Sequence, residues 1–289
     1  MLTDTHCHIQ FNGYNNDREE VINRCLAKDM FLNIVGTQKD TSKKAIELAK
    51  TSENFYATIG LHPVHLHPTQ IDEEESSFLS REEEFDYDYY KELASDKKVI
   101  GIGECGLDFF HLPENLEFSK ILEKQKQEFI KQATLSNDMD LALVVHVRNA
   151  SETGLPNAYD EMLRVLVDLK KEMPDLRGVI HCYGGTWGQA ENFLSLGFYI
   201  GFTGILTFPA RKTNPKPTED LVETATKIPL DSFLIETDSP YLAPQKYRGQ
   251  RCEPFMVEEV AKKIAELKGV SYEEIEDQAW KNTKKVFKI

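Results

Sequence analysis

Short apolar stretches recur along this chain, with amphipathic stretches between them. The apolar stretches cover residues 1–6, 31–37, 55–60, 99–104, 141–146, 178–182, 198–204 and 233–238. Nearly continuous apolar strands are typical of a parallel sheet that is buried on both faces. The intervening stretches repeat apolar residues every three or four positions, as helices do, for example over 17–30, 41–50 and 123–136. Eight strands alternating with helices predict an α/β fold, a single (β/α)₈ barrel of the TIM type, as one domain over residues 1–289.

Two segments add to this repeating pattern. Residues 255–287 predict two helices, with Ser271 and Glu274 as a capping box at the start of the second. A long acidic connection runs over 68–96, and its residues 72–96 carry eleven acidic and two basic side chains. We expect a partly helical surface insertion here, with a solvated charged face.

The acidic balance of the chain bears on its partners. A formal net charge of −14 argues against a protein that reads DNA sequence, because such proteins usually present a basic face. However, about −9 of that charge lies in residues 72–96, and bound divalent metals change the sign of a pocket locally. An enzyme that acts on a phosphodiester therefore stays compatible with the composition.

The cysteines and the apolar runs predict a compartment. Five cysteines without a CxxC pair indicate free thiols in a reducing environment. Cys7, Cys105 and Cys182 each adjoin a candidate ligand, and we expect small buried side chains that face away from the site. No apolar run reaches the roughly 18 residues of a membrane span, and no signal peptide is visible at the start. We therefore expect a cytoplasmic protein, with a nuclear location as the alternative, and no membrane contact.

Metal-capable side chains follow the predicted strands. His6 and His8 are one residue apart, so in a strand they point to the same side. The others stand at the predicted carboxyl ends of strands four, five, six and eight, namely Glu104, His146, His181 and Asp238. Barrel enzymes build their sites at that face. Burying six polar groups there without a common partner would be costly, so the set predicts a centre for one or two divalent cations.

Several motifs occur in one order along the whole chain: DTHCH, GLHP, GECGLDFF, VVHVR, GVIHCYGG and IETDSPYL followed by RCEP. Together they resemble the TatD family of metal-dependent deoxyribonucleases, which belongs to the amidohydrolase-like TIM barrels. The resemblance implies two divalent metal ions (Mg²⁺, Mn²⁺ or Zn²⁺). It implies one ion held by His6, His8 and Asp238, a second held by His146 and His181, and Glu104 as the bridge. Members commonly act from the 3′ end of single-stranded DNA.

The same residues predict the roles of individual side chains. Asp238 is placed to orient or deprotonate a metal-activated water while also ligating, and Glu104 shares the catalytic centre. Arg148 is a candidate phosphate contact because arginine matches phosphate bidentately, and a salt bridge at the rim is its alternative. His62 is a second candidate phosphate contact.

Several other side chains are candidates for substrate contact. Aromatic rings could stack nucleobases if exposed, although core packing is the more frequent role, and the candidates are Phe109, Phe202 and Tyr241. His65 and His67 are expected at the surface.

Two sequence details refine the expected function. Related barrel hydrolases bridge their metals with a modified lysine, whereas Glu104 supplies a carboxylate here, which favours the nuclease branch. The family usually has asparagine before EP, but this chain has Cys252, a weaker hydrogen-bonding group that is expected to affect rate or substrate preference.

The leading hypothesis is a metal-dependent hydrolase of ester bonds, a deoxyribonuclease with 3′–5′ exonuclease activity on single-stranded DNA. RNA is a further possible substrate, and we expect a monomer. One alternative is a binuclear metal hydrolase of an amide or ester bond in a small metabolite, since the fold alone does not separate these reactions. Another is a non-catalytic metalloprotein or scaffold that docks through residues 72–96.

Overall fold

The computed structural model describes residues 1–68, 74–75, 80, 82–113, 115–151 and 154–289. Eight strands of the described chain form one parallel sheet in sequence order. They are β1 (Thr3–Cys7), β2 (Phe31–Val35), β3 (Phe55–Ile59), β4 (Val99–Asp108), β5 (Ala142–Arg148), β6 (Gly178–Ile180), β7 (Phe198–Phe202) and β8 (Phe233–Ile235). The predicted order of strands is confirmed.

Helices connect successive strands, as parallel neighbours require. Within the described residues they are α1 (Arg18–Ala27), α2 (Lys39–Ala49), α3 (Tyr87–Ala94), α4 (Phe118–Asp138), α5 (Ala158–Glu172), α6 (Trp187–Ser195), α7 (Lys216–Lys227), α8 (Val257–Lys268) and α9 (Tyr272–Phe287). The two predicted closing helices are α8 and α9, and the Ser271 side chain accepts the Glu274 N–H at the start of α9. No described helix is long and apolar enough to cross a membrane.

The sheet closes on itself at the junction of β1 and β8. Cys7 and Ser239 form a single parallel bridge. The His8 N–H donates to the Ser239 carbonyl at 2.8 Å, and the Asp238 N–H donates to the His6 carbonyl at 2.9 Å. The expected (β/α)₈ barrel is confirmed, and its seam runs directly between two predicted ligand segments.

The core has two parts. The larger cluster fills the space among strands and helices, with wholly buried side chains such as Leu32, Phe129 and Ile235. A smaller cluster gathers alternate residues near the starts of the strands, such as Phe31 and Val179, with Val286 and Phe287 from the end of α9. Because side chains alternate along a strand, the same strands serve both clusters and leave their carboxyl ends for polar groups.

The strand boundaries differ from those predicted where the site lies. β4 continues four residues past Glu104, and β8 ends three residues before Asp238. β5 likewise continues two residues past His146. The expectation that all predicted ligands end strands is therefore wrong for Glu104, His146 and Asp238. The acidic insertion contains α3, as a partly helical segment should, while its residues 69–73, 76–79 and 81 lie outside the described part of the chain.

Candidate metal centre

A cavity of about 720 Å³ opens at the carboxyl ends of the strands. Its walls include five of the six predicted ligands: His8, Glu104, His146, His181 and Asp238. His6, the sixth, is wholly buried and reaches the same centre from β1. The structure therefore brings together residues that are up to 232 positions apart in sequence.

The HxH pair converges on two carboxylates. The Nε2 atoms of His6 and His8 lie 3.1 Å apart. From Glu104 Oε2 they lie at 3.4 and 3.7 Å, and from Asp238 Oδ1 at 3.8 and 3.4 Å, respectively. The other nitrogen of His8, Nδ1, lies 2.6 Å from the Val35 carbonyl, which orients the ring and leaves Nε2 directed at the centre.

The second oxygen of Glu104 faces a different pair of histidines. Its Oε1 lies 2.9 Å from His146 Nδ1 and 3.6 Å from His62 Nε2. One carboxylate thus presents its two oxygens to two groups of imidazole nitrogens. His62, which sequence reasoning placed against a phosphate, stands within this second group of possible ligands.

His181 lies next to His6 and Asp238 of the first group. Its ring stacks on His6 with centroids 3.4 Å apart, and its Nε2 is 3.5 Å from Asp238 Oδ1. The distance from His181 Nε2 to Glu104 Oε1 is 4.0 Å. The division of histidines between two ions that the resemblance implied therefore stays a prediction.

The arrangement fits divalent cations. Three sets of ligand atoms converge within 4.8 Å, drawn from His6, His181 and Asp238, from His6, His8 and Glu104, and from His62, Glu104 and His146. Imidazole nitrogens and carboxylate oxygens suit such ions. A bound cation would compensate the negative charge of the carboxylates and accept lone pairs from the histidines, which offsets the cost of burying these polar groups.

Burial and charge determine which imidazoles hold a proton. Burial lowers the pKa of His6 to about 4 and that of His62 to about 3, so both are neutral near pH 7. Burial also opposes ionisation of Glu104 and Asp238, but the surrounding histidines outweigh it and hold both pKa values below the ordinary range. The two carboxylates are therefore anionic, as metal ligands must be.

Three acidic residues that sequence reasoning did not single out support the ring of ligands. Asp108 Oδ2 lies 3.0 Å from His146 Nε2. Glu236 Oε2 lies 2.8 Å from His181 Nδ1 and accepts the Cys182 N–H at 3.1 Å. Asp4 accepts the backbone N–H groups of His6 and Thr237 at 3.2 and 2.9 Å, which ties β1 to the segment after β8.

The two-residue repeat of side chains along a strand could have identified two of these three acidic residues. Asp4 precedes His6 by two residues, and Glu236 precedes Asp238 by two, so each pair follows the spacing of one strand face. Asp108 gave no such signal, because β4 was expected to end at Glu104. Its position above the barrel follows from the longer strand.

The insertion contributes one buried acid to the cavity wall. Glu75 Oε1 lies 2.9 Å from His65 Nε2 and accepts a hydrogen bond from the Thr37 hydroxyl at 2.5 Å. The backbone N–H of Gly13 donates to the Glu74 carbonyl at 2.8 Å, which fastens residues 74–75 to the loop after β1. The expectation of a wholly solvated charged face is therefore wrong for Glu75.

Two histidines expected at the surface are buried instead. His65 is wholly buried and His67 is nearly so. His65 lies in the turn after β3, where the Glu75 carboxylate compensates the burial of its ring.

The expected stacking aromatics are mostly core residues. Phe109 and Phe202 are buried, so neither can stack a base, whereas Tyr241 is half-buried and lines the cavity. Arg148 also lines the cavity, and its guanidinium carbon lies 3.9 Å from the centre of the Phe110 ring. Among the ion pairs of the described residues, none involves Arg148.

The cysteines beside the ligands differ in exposure. Cys7 and Cys105 are wholly buried, as expected. Cys182 is only partly buried, lines the cavity and has its sulfur 3.3 Å from the Thr203 hydroxyl, so the expectation that it faces away is wrong. Cys252, in the position where asparagine was expected, is buried, and its carbonyl accepts the Tyr14 hydroxyl at 2.5 Å.

Known proteins share this sequence and architecture. The family model described as TatD related DNase matches residues 3–288. An uncharacterized metal-dependent hydrolase of Bacillus subtilis (strain 168), YabD, is 35% identical over 291 residues and 100% of both chains. The 3′-5′ ssDNA/RNA exonuclease TatD of Erwinia amylovora is 30% identical over 293 residues and 99% of both chains.

A solved structure agrees with the sequence comparisons. The crystal structure of YjjV, a TatD homologue from Escherichia coli K12, superposes with a TM-score of 0.78 at 26% identity. The match covers 100% of this chain and 98% of that one. Because the family model spans nearly the whole chain, this protein belongs to the TatD related DNase family of metal-dependent hydrolases.

Proposed function

We propose that this protein is a divalent-metal-dependent deoxyribonuclease that removes nucleotides from the 3′ end of single-stranded DNA and also accepts RNA. The observation that carries the proposal is the carboxylate of Glu104, whose Oε2 faces His6 and His8 while Oε1 faces His62 and His146. This arrangement supports two ions that share one bridging residue. A relative that is 30% identical is named a 3′-5′ ssDNA/RNA exonuclease, which supports the substrate class.

The residues divide into those that hold metal and those that handle substrate. His6, His8 and Asp238 would hold one ion, and His146 would hold the other with His181 or His62, with Glu104 between them. Bound divalent ions supply Lewis acidity, which acidifies a water and neutralises the charge of a phosphodiester. Asp238, kept anionic against its burial by the neighbouring histidines, would accept the proton of the attacking water at a carboxylate oxygen.

The remaining polar groups of the cavity would bind the phosphodiester. Arg148 and His62 both line the cavity, and the Arg148 guanidinium offers N–H donors to a phosphate oxygen. His62 would donate from Nε2 if it does not hold a metal, because its Nδ1 accepts the Val64 N–H at 3.1 Å. Because Asp108 and Glu236 hold His146 and His181 in fixed orientations, substrate would meet ligands that need little rearrangement.

The test is digestion of one single-stranded oligodeoxynucleotide labelled at either end. Chelator-stripped protein would receive Mg²⁺, Mn²⁺ or Zn²⁺, with His146→Ala as the inactive variant. His67→Ala is the matched control, because His67 lies outside the cavity walls. We expect a metal-dependent ladder from the 3′ end, lost in His146→Ala and kept in His67→Ala.

Two results would contradict the proposal. A ladder from the 5′ end, or internal cuts, would overturn the direction of digestion. No cleavage by protein that has been shown to hold metal would overturn the nuclease, and the same samples would then be assayed on small amides and esters.

A further inference from the structure

An exposed aromatic ring stands at the mouth of the cavity. Phe110 is 45% exposed, and among the described phenylalanine, tyrosine and tryptophan side chains it is the only large exposed one. The Arg148 guanidinium lies over it at 3.9 Å from carbon to ring centre, while Arg148 and His111 line the cavity. We call Phe110, His111 and Arg148 the Phe110 platform.

Two strands hold the platform above the barrel. Asp108 of β4 pairs with Arg148 of β5, and the Phe109 N–H donates to the Arg148 carbonyl at 2.9 Å. Phe110 therefore stands two residues after Asp108, the last paired residue of β4. The paired backbone of the two strands therefore places the guanidinium over the ring.

Asp108 connects this platform to the candidate metal centre. Its Oδ1 accepts the backbone N–H groups of Phe110 and His111, each at 2.8 Å. Its Oδ2 lies 3.0 Å from both His111 Nδ1 and His146 Nε2. One buried carboxylate thus fixes the turn that bears the ring and contacts a predicted ligand, so the platform has a defined position relative to the reaction centre.

We propose that the Phe110 platform is a nucleobase-binding subsite, on which a base next to the scissile phosphodiester stacks. This inference rests on the proposed nuclease function and describes how the same site holds the single-stranded substrate. Every base has a flat π-face, so stacking on an aromatic ring binds single strands without reading sequence. An arginine whose guanidinium lies over a ring keeps N–H donors at the edge of the guanidinium, where they can still reach a phosphate.

The charge of the chain favours stacking as a source of affinity. With a net charge of −14, the protein offers little general attraction to a polyanion. A stacked base contributes binding that does not depend on a broad basic surface. The platform combines that contact with the single positive charge of Arg148.

The first experiment compares Phe110→Ala and Phe110→Trp with the wild type on a single-stranded oligodeoxynucleotide. Since stacking on an aromatic side chain is worth about 1–3 kcal/mol per base, Phe110→Ala is expected to raise KM by about 5- to 150-fold. Phe110→Trp, which keeps an aromatic face, is expected to stay within about threefold of the wild type. The value of kcat should change less than KM in both variants.

Phe208→Ala is the matched control. Phe208 also carries an arginine over its ring, with the Arg248 guanidinium carbon at 4.3 Å, but it lies after β7 and lines a different cavity. We expect an unchanged KM. An equal loss in Phe110→Ala and Phe208→Ala would overturn the assignment, because the effect would then not belong to the cavity mouth.

The second experiment removes the base instead of the ring. Oligomers would lack a base at the terminal, penultimate or third nucleotide from the 3′ end. At the terminal or the penultimate position, loss of the base should raise KM in the wild type and have no further effect in Phe110→Ala. A Phe110→Ala defect of equal size on all abasic substrates would show a merely structural role and overturn the proposal.

Fluorescence separates failure of the subsite from failure of the nuclease. A 2-aminopurine base at the 3′ end is expected to lose emission on binding the wild type and Phe110→Trp, and to keep it with Phe110→Ala. Quenching by a wild type that cuts no oligonucleotide would retain the platform and overturn the proposed nuclease. If Phe110→Ala cleaves the oligonucleotide with the same KM as the wild type and quenches 2-aminopurine equally, the platform would be overturned and the nuclease retained.

Discussion

At the scale of single residues, Glu104 is the central group of the site. It is the only predicted ligand with each carboxylate oxygen within 4 Å of two histidines, with His6 and His8 on one side and His62 and His146 on the other. Removing it would take away the carboxylate that the two groups of histidines share, and would leave only Asp238 beside His6 and His8. The metal content of the protein should therefore depend on this side chain more than on any single histidine.

We expect Glu104→Ala to lower the bound metal to one ion per chain or none and to abolish hydrolysis. Elemental analysis after dialysis against Mn²⁺ or Zn²⁺ measures the first quantity, and an activity assay measures the second. Glu84→Ala, an exposed acid of the insertion, is the control and should keep both. A Glu104→Ala protein with two metals and full rate would refute the shared-carboxylate arrangement.

Glu236 acts on the site through His181. Its Oε2 lies 2.8 Å from His181 Nδ1 and accepts the Cys182 N–H. Gly201 leaves room for this carboxylate, since a Cβ there would lie 2.3 Å from Glu236 Oε2. Burial works against a charged His181, but the Glu236 and Asp238 carboxylates outweigh it and hold the His181 pKa well above its ordinary value.

Glu236→Gln should lower the affinity for metal about 10- to 100-fold, because an amide orients the imidazole less well than a carboxylate does. Titration with Zn²⁺ or Mn²⁺ followed by calorimetry measures the change. The variant should still fold, as the two side chains have similar volumes. An unchanged dissociation constant would mean that Glu236 has no influence on the metal.

At the scale of elements, the long strand β4 creates the site's upper half. Four residues beyond Glu104 carry Asp108 to the level of Arg148 and lead into Phe110. The close approach of β5 depends on Gly106, whose φ is +149° and whose Cβ, if present, would lie 1.9 Å from the His146 carbonyl oxygen. No side chain fits at that position without moving His146.

Gly106→Ala should destabilise the protein by about 2–4 kcal/mol, since it combines an unfavourable φ with a backbone clash. Chemical denaturation measures the loss. Gly188→Ala is the control, because Gly188 lies in α6 and a Cβ there would meet no atom within 4 Å. Alanine is the better helix former by about 1 kcal/mol, so this control should be neutral or stabilising. Equal stability of both variants would contradict the packing described for β4 and β5.

At the scale of the whole molecule, the barrel gathers buried charge at one end. Glu104, Asp108 and Glu236 are all buried there, and Asp238 is half-buried beside them. Such a concentration of carboxylates is compensated by histidines in part and by cations when they bind. Metal bound to the folded chain should therefore stabilise the fold.

Removal of divalent metal should lower the melting temperature by about 5 °C or more. Ligand at 100 times its dissociation constant contributes about 2.7 kcal/mol of stability, and 1 kcal/mol shifts Tm by roughly 2–4 °C in chains of about 150–250 residues. Scanning calorimetry with chelator and with added Mn²⁺ measures the shift. Chelator should lower the melting temperature of Glu104→Ala less than that of the wild type, and a wild type insensitive to chelator would contradict a folded metal centre.

The sequence by itself determined the order of strands and helices, because apolar runs and helical periodicity are local patterns that the barrel satisfies one after another. It also indicated the six predicted ligands, since spacing and position after a strand can be read along the chain. The family resemblance, carried by motifs over the whole length, is confirmed by the family model.

Only the tertiary structure decided how these residues meet. The extension of β4, the burial of Phe109 beside an exposed Phe110, and the entry of Glu75 into the cavity wall depend on neighbours far away in sequence. The roles of Asp4, Asp108 and Glu236 likewise follow from partners across the barrel, such as Thr237, His146 and His181. Burial and hydrogen bonding are properties of the packed molecule, so a local pattern could name the candidate ligands but not the groups that hold them in place.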